Sequence, residues 1–333
     1  MKILIVGAGI IGSIYGWAYA EAGHEVIHWV RPGKAEKFKD GFKIDMYDVR
    51  KGHKRDYIGH YSIHVTETVR PEDGYELVVV PSKHYHLLNI LKQITPQAGN
   101  TDYFLLTQNW DGTEAVDAII PQSRYVYGDA KAGGMFEEGG TLVATIASVD
   151  IGQVNGRHDA CLDKVVNLCK SAQVGVTLQP NILHYLWVQY AVTGGLWPAL
   201  IKAGSLEAVF ANRQIGEQGV LAARECLEVV TRRGVDLKKY PEIGFVKLPI
   251  WLAIMLLRWN FRRNESMQRY TSHAAGVGSL QETKVFHTNI LKTADEFGFN
   301  TTYLRSLGTY LRSLRNVSRY GSPFCRRDIL SLI

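Results

Sequence analysis

The sequence predicts a chain of two architectures: alternating strands and helices over residues 1–179, then helices alone over residues 180–333. Three observations lead there. Short, continuously apolar runs of four to six residues recur up to Leu178, and each is followed by a glycine-rich turn or a helical stretch, the pattern of βα units in a parallel sheet. The first run, residues 3–6, ends in glycines at positions 7, 9 and 12. From Asn181 onward the strand-like runs stop and only helical periodicity remains. The expected fold class is therefore α/β: an amino-terminal doubly wound parallel sheet of Rossmann type joined to a carboxyl-terminal all-helical domain.

The opening segment has the strongest pattern. Residues 3–6 suit a strand buried on both faces. Gly7, Gly9 and Gly12 then fall at G-x-G-x-x-G spacing, and helical residues 10–22 end at Gly23. Gly7 permits the tight turn, Gly9 admits a diphosphate near the backbone, and Gly12 allows helix and strand to pack closely. Free N–H groups at the helix start favour an anion. Residues Gly7, Ala8, Gly9, Ile10, Ile11 and Gly12 are thus the candidate diphosphate-binding turn, with a second strand at residues 25–30 completing the unit.

That second strand ends at Arg31, where an NAD site usually has an acid for the ribose 2′-hydroxyl. A guanidinium suits a 2′-phosphate instead, so the expected cofactor is NADP(H). Residues 34–56 are polar and show no period, and residues 57–66 alternate loosely enough for short strands. Residues 76–80 form another buried strand. Lys83 follows it at the sheet's expected carboxyl edge, a second candidate for cofactor phosphates. His84 and His86, two apart on the expected helix, do not share a face, and no third ligand accompanies them, so no metal site is expected. Residues 103–107 form the next strand and Asn109 follows it. Its amide both donates and accepts, which suits a nicotinamide ribose or a polar substrate group, although asparagine beside glycine also makes turns.

Further strands are expected at residues 124–128 and 141–151, with glycine-rich turns at Gly133-Gly134 and Gly139-Gly140. A helix at residues 159–173 and a last strand at 175–178 complete the first domain. In the second, helical patterns span 184–197, 207–233 and 279–297, and Leu304, Leu307, Leu311 and Leu314 form one final stripe.

Bulk properties narrow the classes of function. The 333 residues are 46% hydrophobic and 21% charged, with a net charge of +6. The arginines form no dense run, so an acceptance field for anionic ligands is favoured over nucleic acid binding. The apolar segment 250–257 is too short to span a bilayer. A buried or interface helix is its favoured meaning and leaves room for a homodimer, while Arg258, Arg262 and Arg263 suit a surface-bound amphipathic helix. Cys161, Cys169, Cys226 and Cys325 have neither C-x-x-C nor zinc spacing and read as reduced thiols. With a strand beginning at Met1, no leader is expected and the location is expected to be cytoplasmic.

Taken together, these residues resemble the ketopantoate reductase (2-dehydropantoate 2-reductase) family over nearly the whole chain. The resemblance rests on the opening glycine motif with Gly23, His24, Glu25 and Val26, on Arg31, on Lys83 after Val78, Val79 and Val80, and on Asn109 after Leu105 and Leu106. Further on it includes Asp150, Ile151 and Gly152, then Leu186, Trp187, Ala191, Val192 and Pro198, then Leu280, Gln281 and Glu282, and Gly298. It implies a Rossmann domain joined to a helical domain with the active site in a cleft. It further implies NADPH phosphates on Arg31 and Lys83, Asn109 between cofactor and substrate, and a substrate region containing Ser266 and Glu282.

The departures from the family are specific. Where the family carries a lysine taken to protonate the substrate oxygen, two residues past the tryptophan, this chain has Gln189. Thr193 replaces an asparagine, a later asparagine falls at Ser205 or has no counterpart, and the interval from Ser266 to Glu282 is longer than the family's. A glutamine N–H can polarise an oxygen but is no acid at neutral pH, and general-acid catalysis is typically worth about 10²–10⁴-fold. Lys131 and Lys202 are substitute acids by proximity in the family topology, and Glu282 is a candidate acid or base. The expected function is hydride transfer between NADP(H) and a small carbonyl or hydroxy compound, a 2-oxo or 2-hydroxy acid or a related carbonyl. Asn109 and Glu282 would position the substrate, and Gln189 would polarise its oxygen. An NADP-binding regulatory protein and an opine-type dehydrogenase are the alternatives.

Overall fold

The computed structural model describes residues 1–50, 55–272 and 277–314. The chain divides into two compact units, Met1–Leu186 and Trp187–Ile333.

The first unit is built on one mixed sheet. Its strands are β1 Lys2–Val6, β2 Glu25–Trp29, β3 Phe42–Asp48, β4 Arg55–Tyr61, β5 His64–Thr66, β6 Leu77–Val79, β7 Asp102–Leu106, β8 Tyr125–Phe136, β9 Leu142–Gly152 and β10 Gly175–Leu178. The order is β4-β3-β9-β8-β7-β6-β1-β2-β5, and β10 also pairs with β9. The block β5-β2-β1-β6-β7-β8 is parallel throughout. Ranked by position in the chain, these six strands read 3-2-1-4-5-6 across the sheet, the doubly wound order whose switch point lies between β1 and β6. Their apolar runs are continuous because both faces are covered: Ile3, Leu4, Ile5, Leu77, Val78, Val79, Phe104 and Leu105 are fully buried. Helices α1 Ile10–Glu21, α2 His84–Ile94 and α3 Glu114–Asp117 connect strands of this block, and α4 Ala160–Ser171 joins β9 to β10. Asp159 caps α4, its carboxylate accepting from the Cys161 and Leu162 amides at 3.0 and 3.4 Å.

Beyond this block, β8 turns antiparallel to β9, and β3 lies parallel to β9 with β4 as its antiparallel neighbour. This extension packs on α1, with Trp17 stacked 5.2 Å from Tyr57. It is pinned by Arg50, which is 3% exposed. The guanidinium forks onto Asp48 at 3.0 and 2.9 Å, reaches Glu21 at 2.7 Å and the Ala172 carbonyl at 2.9 Å, and lies 4.7 Å from the Trp17 ring. One cation thus joins β3, α1 and the turn before β10.

The second unit is helical: α5 Ile182–Ala203, α6 Leu206–Ala211, α7 Arg213–Arg232, α8 Ile250–Arg263, α9 Glu265–Ser272, α10 Val277–Glu296 and α11 Thr302–Ser313. The first turn of α5 belongs to the first unit. Its Ile182 packs at Gly152 and its Tyr185 bonds to Asp150, so the division falls seven residues beyond the end expected from the last strand. Glu225 of α7 accepts from the Tyr303 and Leu304 amides at 3.0 and 2.8 Å, a carboxylate at the positive end of α11. Leu304, Leu307 and Leu311 are buried as the stripe predicts.

Three expectations need correction. Gly133-Gly134 is no turn. Both residues lie inside β8, and Gly134 meets the Val143 carbonyl and Ala144 so closely that a Cβ would overlap them; the turn is at Gly139-Gly140 alone. Residues 207–233 are two helices, because Asn212 leaves the helical conformation and caps α7 by accepting from the Ile215 amide at 3.1 Å. The segment 250–257 is a helix but not a buried one: only Ala253 of α8 is buried, while Trp251, Met255 and Trp259 are exposed at four-residue intervals. Among the described residues, no helix is long and apolar enough to cross a membrane. Cys325 lies outside the described residues, and Cys161, Cys169 and Cys226 are buried free thiols.

Candidate active site

The glycine turn joins β1 to α1. Gly7 has φ +89° and donates its amide to the Trp29 carbonyl of β2 at 2.8 Å, a conformation side-chain-bearing residues rarely adopt. Gly9 is the N-cap of α1 with extended backbone. No side chain caps this helix and no acid lies in its first turn. Its positive end is therefore unmasked, as diphosphate binding requires. A Cβ on Gly12 would stand 3.1 Å from the Gly7 carbonyl oxygen and from Pro81, and 3.2 Å from Ile5. The spacing read from sequence thus corresponds to a close helix–strand approach.

Beneath the turn lies His28, fully buried on β2. Its Nδ1 donates to the Gly7 carbonyl at 2.9 Å, which leaves Nε2 to accept from the Tyr61 hydroxyl at 3.0 Å. Burial lowers its pKa to about 4. An unfolded histidine binds a proton near pH 6.5 and this one does not, so stability is lost as pH falls from about 6.5 to about 4, by about 3 kcal/mol for the whole shift. Urea titrations across that range should show the decline, and His28→Asn, which has no such titration, should flatten it.

Arg31 is exposed just past the carboxyl end of β2. The acid missing from that strand stands one strand over: Glu67 follows β5, and its carboxylate accepts from the Ala35 amide at 2.8 Å. Hydrogen bonds from the Ala35, Gly33 and Lys34 amides lower its pKa. Glu67 therefore orders the turn after Arg31, a role that nothing in the local sequence signals. Lys83 is half-buried and is the N-cap residue of α2 beyond β6. Arg31, the glycine turn and Lys83 thus follow strands β2, β1 and β6, which are neighbours across the switch point.

Asn109 is buried after β7, and its amide closes a turn. Its Nδ2 donates to the Gly112 carbonyl at 2.7 Å and to the Tyr127 hydroxyl at 3.0 Å, while Oδ1 accepts from the Gly112 amide at 3.0 Å. Beside it, Gln108 donates to Asp129 of β8 at 2.7 Å. Asp129 pairs across the sheet with Asp150 of β9. Lys131 bonds to Asp129, donates to the Tyr185 hydroxyl at 2.8 Å and lies 3.4 Å from Asp150. Tyr185 donates to Asp150 at 2.8 Å, and Gln179 donates to the other Asp150 oxygen at 2.7 Å. Burial alone would lower the Lys131 pKa, but Asp129 and Asp150 outweigh it and raise it. Of this group only Lys131 was a sequence candidate. Asp129 is two residues away on the same strand, but the other partners of Lys131 come from β9 and α5, too far along the chain for any motif to connect them.

The remaining candidates belong to the second unit. Gln189 and Thr193 are half-buried, one turn apart on α5. Glu282, Phe286 and Ile290 follow at four-residue intervals on α10. Phe286 stacks 4.1 Å from Tyr190 of α5, and Asn289 donates to the Tyr190 hydroxyl at 2.9 Å. Glu282 therefore continues the stripe by which α10 packs on α5. Ser266 is half-buried on α9. Ser205 caps α6 by accepting from the Ala208 amide at 3.1 Å, and Lys202 is exposed and donates to Gln218 at 3.2 Å. A groove of about 700 Å³ along α10 and α11, lined among others by Lys284, His287 and Arg312, holds none of the residues assigned above. Among the described residues, no three histidines, cysteines or acids converge as metal ligands.

The family model described as ketopantoate reductase PanE/ApbA matches residues 3–156. Over those residues the chain is similar to the ketopantoate reductases. A 2-dehydropantoate 2-reductase of Pyrococcus abyssi is 28% identical over 292 residues, which cover 87% of this chain and 89% of the relative. The fold matches that of D-mandelate dehydrogenase in complex with NADH, with a TM-score of 0.72, 15% identity, and coverage of 94% and 98% of the two chains. It also matches a dimeric ketopantoate reductase from Staphylococcus aureus, with a TM-score of 0.63, 16% identity, and coverage of 94% and 98%. Like the ketopantoate reductases, this chain pairs a Rossmann-type sheet with a helical carboxyl-terminal region.

Proposed function

We propose that the chain is an NADP(H)-dependent oxidoreductase of ketopantoate-reductase type, acting on a small 2-oxo or 2-hydroxy acid or a related carbonyl compound. The observation that carries this reading is the uncapped, glycine-lined start of α1 at the sheet's switch point, in a chain related to reductases. The nicotinamide, when bound, supplies or takes up the hydride. The chain's own residues bind and orient: the α1 amides hold the diphosphate, Arg31 and Lys83 hold the adenosine-side phosphates, and Asn109 keeps the β7 turn in shape. In the second unit, Gln189, Thr193, Ser266 and Glu282 offer hydrogen bonds to the substrate.

The test is oxidation of NADPH and NADH against ketopantoate and a panel of 2-oxo acids. Nucleotide binding without turnover on any of them would refute the enzyme reading and leave a cofactor-binding regulatory protein, which the neutral Gln189 and Thr193 pair favours. Oxidation that depends on an added amino acid would instead mark an opine-type dehydrogenase.

Cofactor preference rests on Arg31. The neighbour bound to NADH makes this a question for titration. The intact chain is expected to bind NADPH more tightly than NADH. Arg31→Ala should cost roughly 10–100-fold in NADPH affinity, the worth of a charge-assisted hydrogen bond, and leave NADH nearly unchanged. Equal affinities in the intact chain would remove the role given to Arg31. The exposed stripe of Trp251, Met255 and Trp259 on α8 suits a face buried between two copies. The three buried, unpaired cysteines suit the reducing cytoplasm.

A further inference from the structure

We propose that Lys131 is the cation and proton donor at the reacting carbonyl oxygen, held in place by Asp129, Asp150 and Tyr185. The inference rests on the oxidoreductase reading above and gives it a residue for the step that Gln189 does not perform.

Position is the first argument. Leu106, the last residue of β7, pairs with Gly128 of β8. Asp129 and Lys131 therefore lie just past the carboxyl edge of the parallel block, where ligands of doubly wound sheets bind. They stand beside Gln108 and Asn109, on the half of the sheet across the switch point from the β2 end that carries Arg31. Asp129 and Lys131 are two apart on one strand and so share a face. Asp150 is directly opposite Asp129 on β9.

The second argument is how the ammonium is held. Asp129 and Asp150 are 13% and 10% exposed, whereas the Lys131 side chain keeps 38%. Buried carboxylates need a cation nearby, and this one keeps an open side that a substrate can reach. Two of the three N–H donors go to Asp129 and Tyr185. Asp150 is 3.4 Å from the ammonium, longer than a good N–H···O bond, so this is the contact a substrate oxygen can most easily displace. Tyr185 donates to Asp150, so its oxygen is left to accept from Lys131, and the direction of the chain of hydrogen bonds is fixed. Such a satisfied network holds its members rigidly.

The third argument is an orphaned acceptor. Gln108 Oε1 is buried with no hydrogen-bond partner among the described residues, although its amide nitrogen holds Asp129. An unsatisfied buried acceptor is costly, and at a ligand-binding edge it marks where a ligand N–H or O–H fits.

In the proposed step the substrate carbonyl carbon accepts the hydride and its two electrons, the carbonyl π pair moves to oxygen, and one N–H of Lys131 passes its proton to that oxygen. The cofactor is oxidised and the carbonyl is reduced to a hydroxyl. The neutral amine then regains a proton from water through its exposed side. Asp129, Asp150 and Tyr185 are positioning residues.

Lys131→Arg keeps the charge for Asp129 and Asp150 but does not readily release a proton. It is expected to retain thermal stability and NADPH affinity and to lose turnover on the active member of the 2-oxo acid panel by about 100-fold or more. Lys131→Ala should be as slow or slower, and its turnover should rise in proportion to added ethylamine, a response that a merely structural lysine would not give. The inference is overturned if Lys131→Arg turns over within about threefold of the parent, a difference far below a general-acid effect. It is also overturned if the alanine variant shows no response to amine. A parent chain with no turnover on the panel fails earlier, at the oxidoreductase reading, and takes this inference with it. Loss confined to the variants leaves that reading standing.

Discussion

Gly12→Val is expected to weaken NADPH binding by at least about 100-fold, or about 3 kcal/mol. The α1 backbone at Gly12 approaches the Gly7 carbonyl, Pro81 and Ile5 so closely that a single Cβ already meets all three at 3.1–3.2 Å. Valine adds two methyl groups with nowhere to go, since Ile5 is fully buried and Gly7 is tied to Trp29. Overpacking of this kind typically costs about 1–3 kcal/mol. It is relieved here by moving α1 off β1, and that movement displaces the amides that hold the diphosphate. Fluorescence titration of NADPH measures the effect, and far-ultraviolet circular dichroism shows whether the sheet persists. Binding within about threefold of the parent in a folded variant would mean that the diphosphate does not sit on this turn.

Arg50→Met should destabilise the first unit by about 3–5 kcal/mol, the usual consequence of removing one partner of a buried ion pair. Asp48 has no exposed surface and forks onto this guanidinium. Without it the carboxylate keeps Arg55, at 3.3 Å, and the backbone amide of residue 50, at 3.1 Å, and the Ala172 carbonyl and Glu21 also lose a donor. Asp48→Asn combined with Arg50→Met should recover part of the loss, because the stranded charge is then gone. Urea unfolding of the three variants measures the difference, and a single variant within about 1 kcal/mol of the parent would contradict this account. The pair also sets a pH dependence. Burial would raise the Asp48 pKa, but Arg50 and Arg55 outweigh it and hold it below the usual range. The stability it contributes is present above the unfolded value near roughly pH 4 and is lost as pH falls below it.

The two variants differ in how far their sites could be read beforehand. Gly12 was legible because three glycines at fixed spacing between a strand and a helix have few physical explanations, all of them local. Arg50 was not, because its partners come from α1, β3 and the turn before β10. The segment 34–56 looked irregular for the same reason. β3 gains its burial from β9, about a hundred residues downstream, and its sequence carries no sign of that partner. Gly133-Gly134 read as a turn because adjacent glycines usually are one. Here the crowded β8–β9 pairing needs a residue without a side chain. The break at Asn212 was hidden inside a continuous helical pattern, since periodicity does not register one capping residue.

For this protein, the sequence by itself determined the alternation of strands and helices, the place of the diphosphate turn, the exposed arginine after β2 and the change to helices after β10. Each of these depends on neighbouring residues, through backbone propensity, side-chain periodicity or the absence of a Cβ. The tertiary structure alone decided that Asn109 closes a turn, that Glu67 orders the loop beyond Arg31, that His28 props the glycine turn, and that Lys131 is held by Asp129, Asp150 and Tyr185. Apart from the short Asn109 turn, these are contacts between distant segments, and they exist only once burial has brought those segments together. A charged side chain in the sequence is the same residue whether it ends in solvent or at a sheet edge. Its neighbours in space give it a direction and a pKa.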